Sequence, residues 1–135
     1  MSNATERTMN RCFLLLAALS LARMAAAQSD TSAVKDISPQ ALAVLLPHVH
    51  VIDVNEADNY QFAHVPGAQL LAYDAITAAV LPADRSSKLV FYCWSPECPA
   101  AGMAAEAAVH LGYTDVHCMR AGIIGWQDAG LPTEP

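Results

Sequence analysis

Short β-rich runs alternate with helical segments along this chain, and that alternation constrains its fold more than any other feature. Residues 49–54, 88–93 and 116–119 carry β-branched and aromatic side chains such as Val51, Ile52, Val90, Phe91, Tyr92 and Val116, the composition of buried strands. Ser38 and Pro39 supply an N-cap and a proline at the first helical position. They open a helix to about residue 46, which Pro47 stops. A short helix is expected over 56–62, a turn at His64-Val65-Pro66-Gly67, a short strand over 70–72 and a helix over 74–80 capped by Asp74. A loop with Pro82 follows, and Pro99 opens an alanine-rich helix that ends at Gly112, a common C-terminal position for glycine. The last helix is expected over 123–129. Strands alternating with helices build a parallel sheet covered on both faces. The expected fold class is α/β, with a central parallel sheet of about four or five strands in a single domain.

The N-terminus stands apart. Polar residues with Arg7 and Arg11 precede an apolar run from Cys12 to Leu21, then small residues at Ala25, Ala26 and Ala27. A basic head, a short apolar run and an A-x-A exit define a secretory signal peptide. Ten helical residues span roughly 15 Å, half a bilayer core, so the run is short for an anchor. The expected organisation is a signal peptide over 1–27, a linker over 28–35 and the folded domain over 36–135. Met9 offers an alternative start. The product would be periplasmic or secreted, with no membrane association after cleavage. Residues 28–135 hold four basic and twelve acidic side chains, a formal charge of −8 with His neutral. Such a surface repels nucleic acid and anionic lipid, so neither is an expected partner.

Cleavage would remove Cys12 and leave Cys93, Cys98 and Cys118. An odd count allows at most one internal disulfide and leaves a thiol over. Cys93 ends an expected central strand, Trp94-Ser95-Pro96-Glu97-Cys98 forms a loop, and Pro99 starts a helix. Open α/β sheets bind ligands at the carboxyl ends of their strands. A loop turning into a helix N-terminus favours thiolate over thiol, and the thiolate is the nucleophile. A buried core cysteine at a strand end is the competing account. Cys118 reads as an inert strand cysteine.

Three blocks resemble the rhodanese-like domains. Val51-Ile52-Asp53-Val54 with Tyr60 and His64-Val65-Pro66-Gly67-Ala68 is similar to that family's first signature, and Val90-Phe91-Tyr92-Cys93 to its catalytic strand. Ala121-Gly122-Ile123-Ile124-Gly125-Trp126, with Ala129-Gly130-Leu131-Pro132, is similar to its closing signature. The resemblance implies a sulfurtransferase in which Cys93 accepts sulfane sulfur, becomes a persulfide cradled by loop amides, and passes sulfur to a thiol or cyanide. Its partners would be a small sulfur-containing donor and that acceptor, and no cofactor is implied.

The departures bear on substrate. Asn55 stands where the family often has arginine, Ala63 and Ala121 where it has glycine. The loop over 94–98 has no basic residue to hold thiosulfate, Glu97 is acidic, and Pro96 lacks an N–H. Arg120, ending the last strand, is the expected supporting cation, and Asp53 is expected to bond groups beneath the site. Thiosulfate transfer should therefore be weak. Cys98 could act as a resolving thiol toward a Cys93 persulfide or sulfenic acid, or pack under the loop. Two alternatives stay open: a thiol–disulfide or sulfur-relay protein using Cys93 and Cys98, and a silent binding module on the same fold. Cysteine phosphatases place arginine six residues after the nucleophile, and here that residue is Pro99. His48, His50 and His117 lack the spacing of a metal site.

Overall fold

The computed structural model describes residues 33–135. The expected signal peptide, Met9 and most of the expected linker lie outside the described residues. The elements in chain order are β1 (Val34–Asp36), α1 (Pro39–Ala43), a 3₁₀ turn (Leu46–His48), β2 (His50–Asp53), α2 (Ala57–Phe62), β3 (Gln69–Leu70), β4 (Lys88–Tyr92), α3 (Ala100–His110), β5 (Asp115–Cys118) and α4 (Gly122–Asp128). The sheet has five strands in the order β1-β5-β4-β2-β3, and every pairing is parallel. The α/β class, the parallel sheet and its strand number match the reading of the sequence.

Period-two alternation in β4 divides the core. Leu89, Phe91 and Cys93 pack on one face with Ile52, Val116 and α3. Val90 and Tyr92 pack on the other with Leu42, Met119, Ile123 and Trp126. On α3 the buried positions are Ala101, Ala104, Ala105 and Ala108, the i, i+3, i+4, i+7 stripe of a core-facing helix. Their small side chains let the helix lie close over the strand that carries Cys93. Trp126, Tyr92 and Phe91 have no exposed surface, and burying each contributes about 1.5–3 kcal/mol or more.

Three expectations need correction. Val34 and Lys35, assigned to the linker, belong to β1, which pairs with β5 at Val34↔Val116, Lys35↔His117 and Asp36↔Cys118. A three-residue edge strand with one buried side chain has no periodicity to read. The first helix ends at Ala43: the Leu45 N–H turns to Leu42 O, and the 3₁₀ turn Leu46–His48, with Pro47 inside it, carries the chain to β2. Residues 74–80 form no helix. Ala75 N donates to Ala72 O and Val80 N to Thr77 O, two separate turns, while Ile76 and Leu81 anchor the segment in the core. Seven residues with three β-branched side chains do not recover the cost of helix nucleation.

Candidate functional site

Cys93 lies one residue beyond β4, at the carboxyl edge of the sheet, and is 6% exposed. The loop after it is held from α4. Ile123 N donates to Cys93 O at 3.0 Å and Ile124 N to Trp94 O at 3.1 Å. Gly122 makes this approach possible: its φ is +67°, and a Cβ there would meet Trp94 C and O at 2.5 Å and Ser95 N at 2.7 Å. The closing block of sequence therefore positions the block that ends at Cys93. Within the loop, Cys98 N donates to Ser95 O, and the Glu97 carboxylate, fully exposed, is held below its usual pKa chiefly by Ser95.

Cys93 and Cys98 are joined in a disulfide, with Cα atoms 6.3 Å apart. Cys118 is a free, buried thiol, and burial pushes its pKa up. Beneath Cys93, Asp53 is wholly buried. Its Oδ1 accepts from Asn55 N at 2.8 Å and its Oδ2 from the Tyr92 hydroxyl at 2.5 Å, and that hydroxyl accepts from Val65 N at 3.0 Å. Burial raises the Asp53 pKa, opposed by these hydrogen bonds. Burial and the Asp53 charge push Tyr92 far up, so it stays a donor. Asp53 thus ties β2, β4 and the His64–Gly67 turn together under the site and does not face the cleft. His64 belongs to the turn. It stacks on Tyr60 with centroids 3.8 Å apart, and its backbone pairs with Glu134.

A cleft of about 230 Å³ opens over the disulfide. Its walls are Cys93, Trp94, Cys98 and Ala100 on one side and Val54, Asn55, Glu56, Asn59 and Tyr73 on the other. A second hollow of about 300 Å³ shares Val54, Asn55, Glu56 and Tyr73 and extends to Asp74. Of the loop residues expected to bind substrate, Trp94 and Cys98 line this cleft, whereas Ser95, Pro96 and Glu97 do not. Arg120 is not in its walls either: Nε donates to Asp36 at 2.7 Å. The other basic side chains among the described residues are also engaged elsewhere. Lys35 and Lys88 pair with Asp115, and Arg85 lies over the Tyr113 ring at 4.5 Å. The cleft walls hold one carboxylate, Glu56, and no cation. Among the described residues no cluster of His, Cys, Asp and Glu could hold a metal ion.

Sequence reasoning did not place Asn55, Asn59, Glu56 and Tyr73 at the site. Asn55 stood out only as a departure from a pattern. It is 9% exposed, its Oδ1 lies 3.6 Å from Cys93 Sγ, and its Nδ2 is buried without a hydrogen-bond partner.

This architecture, a five-stranded parallel sheet with a disulfide-bearing loop at its carboxyl edge, is that of an α/β domain. A rhodanese-like domain model matches residues 38–129, and the chain belongs to that family. The thiosulfate sulfurtransferase GlpE of Pseudoalteromonas translucida is 26% identical over 85 residues, covering 60% of this chain and 75% of that protein. A Bacillus halodurans crystal structure superposes with a TM-score of 0.67 at 23% identity, over 74% of this chain and 76% of that one. A thiosulfate sulfurtransferase of Pseudomonas aeruginosa superposes with a TM-score of 0.65 at 29% identity, over 75% of this chain but only 19% of that one.

Proposed function

We propose that this protein is a sulfurtransferase of the rhodanese-like family that carries sulfane sulfur as a persulfide on Cys93, with Cys98 as resolving thiol. The observation that carries the reading is Cys93 at the carboxyl edge of the sheet, opening on a cleft and within bonding distance of Cys98. In the reduced protein the Cys93 thiolate attacks the outer sulfur of a donor, forming an S–S bond and releasing the remainder of the donor as a leaving group. A thiol or cyanide then takes the outer sulfur and frees Cys93. Alternatively, the Cys98 thiolate attacks Cys93 Sγ, closes the disulfide and expels hydrosulfide, after which an external thiol must reduce the pair. The disulfide favours this relay as a second mode of the same site.

The acidic, cation-free cleft points to an uncharged or thiol-borne donor over thiosulfate. The N-terminal pattern supports export, so we propose a periplasmic or secreted location for the mature protein. The test is sulfur transfer from an alkyl hydropersulfide donor to a thiol acceptor. Cys93→Ser should reduce it to background, and Cys118→Ser should leave it near wild type. Persistent transfer by the Cys93 variant would remove the assignment.

A further inference from the structure

We propose that Asn55 is a positioning residue for the Cys93 sulfur: its Nδ2 donates to the thiolate released when the disulfide opens, so that an incoming thiol attacks Cys98 and Cys93 departs. This rests on the reading of Cys93 as the reactive sulfur and adds the group that stabilises it and the direction of attack.

Three observations converge. Asn55 is buried and its Oδ1 lies 3.6 Å from Cys93 Sγ, so a half-turn of the carboxamide about its Cβ–Cγ bond brings Nδ2 to the same sulfur. A disulfide sulfur carries no hydrogen, so with Cys93 bonded to Cys98 this contact is not a hydrogen bond. Meanwhile Nδ2 is buried with no partner at hydrogen-bonding geometry, and the Asn55 side chain otherwise acts only on the Asp53 carboxylate, whose pKa it helps to lower. A buried amide left in that condition is costly, and an anionic sulfur beside it is the acceptor that relieves the cost. Two positions of the loop offer the sulfur no donor, and the cleft supplies no cation. Pro96 has no N–H, Cys98 N is committed to Ser95 O, and no basic side chain lines the cleft.

The two sulfurs also differ in access. Cys93 is buried, whereas Cys98 is partly exposed. In thiol–disulfide exchange the incoming thiolate RS⁻ bonds to the accessible sulfur, and the better-stabilised thiolate leaves. Here RS⁻ bonds to Cys98 Sγ, the Sγ–Sγ bond breaks, and its electron pair departs on Cys93 as thiolate. The products are an R–S–S–Cys98 mixed disulfide and a Cys93 thiolate facing the Asn55 amide. Cys93 is then the free nucleophile for a sulfur donor once a second thiol clears Cys98.

The direct measurement is the pH–rate profile of Cys93 alkylation in reduced protein, with sites resolved by peptide mass, in wild type, Asn55→Leu and Asn55→Asp. Asn55→Leu keeps the shape and removes the donor. It should slow Cys93 alkylation at neutral pH about tenfold and move the profile to higher pH. Asn55→Asp, which replaces the donor with an acceptor, should move it further, and serves alone if the leucine variant does not fold. A role confined to packing would leave both profiles at the wild-type position and overturn the proposal. Faster alkylation in Asn55→Leu would show the amide accepting from a thiol and would overturn it equally. With oxidised wild type, a one-turnover reaction with glutathione should place the mixed disulfide on Cys98; predominance on Cys93 would refute the direction of attack. None of these readouts involves sulfur transfer, so their failure is separable from failure of the proposed activity.

Discussion

Cys93 and Cys118 are the same residue type at or near the ends of adjacent strands, yet their surroundings differ: Cys93 lines a cleft and is bonded to Cys98, whereas Cys118 is a free thiol. Cys118 is packed in the core, and burial raises its pKa, which suppresses the nucleophilic thiolate. In reduced protein at neutral pH, iodoacetamide should modify Cys93 and Cys98 and spare Cys118 until denaturant is added; site-resolved peptide mapping reads this. Rapid native labelling of Cys118 would contradict the packing described. Cys93 was legible in the sequence because a cysteine closing a β-rich run before a proline-started helix has a predictable place. Cys98 was visible as a neighbour, but its bond to Cys93 depends on a loop path that spacing does not encode. Asn55 was illegible as a site residue, since one asparagine after a strand belongs to no pattern. Tyr92 was hidden as well: an aromatic in a buried strand reads as core until its hydroxyl is seen on Asp53.

At the scale of elements, the site depends on α4 reaching across to the loop after β4. Gly122→Ala combines a left-handed φ with a 2.5 Å contact to Trp94 backbone, so the loop must move or the helix start must unwind. Strain of this kind costs about 1–3 kcal/mol, and urea denaturation should show that loss together with reduced Cys93 reactivity. The opposite end of the sheet is tied by charge. Asp115 on β5 pairs with Lys35 on β1 and Lys88 on β4; Lys88 foremost holds its pKa well below the usual carboxylate value. A depressed folded pKa means the unfolded chain takes up the proton first, so this contribution is present above the unfolded value near 3.8 and lost as pH falls below it. Asp115→Asn should lower stability at pH 7 and flatten the decline between about pH 4 and pH 2. An unchanged acid slope in chemical denaturation would contradict it. The central strands were readable because hydrophobic runs mark them. Edge strand β1 and the turns over 74–80 were not, because their conformation is set by pairing and by the Ile76 and Leu81 anchors.

For the whole molecule, charge decides which donors can approach. All four basic side chains of the described domain lie outside the cleft walls, and Glu56 lies in them. Thiosulfate carries two negative charges, and each unfavourable charge contact near the surface costs on the order of 1 kcal/mol, roughly fivefold in binding. Glu56→Gln should lower the thiosulfate KM by about that factor while leaving a thiol-borne donor unaffected; an equal change for both donors would point to altered loop structure instead. Export is a separate expectation of the same scale. N-terminal sequencing of protein recovered from an exporting host should begin near Gln28, and a full-length cytoplasmic product would contradict it.

Intact-mass spectrometry of the reduced mature protein after exposure to a sulfane donor tests the central claim most directly. Wild type should pass through a species about 32 Da heavier, one added sulfur, and settle as the Cys93–Cys98 disulfide, about 2 Da lighter than the reduced chain. Cys98→Ser should hold the heavier species on Cys93, removable by reductant. A wild type that accumulates neither form with any sulfane donor, or a Cys93→Ser variant that still gains the sulfur, would contradict the account.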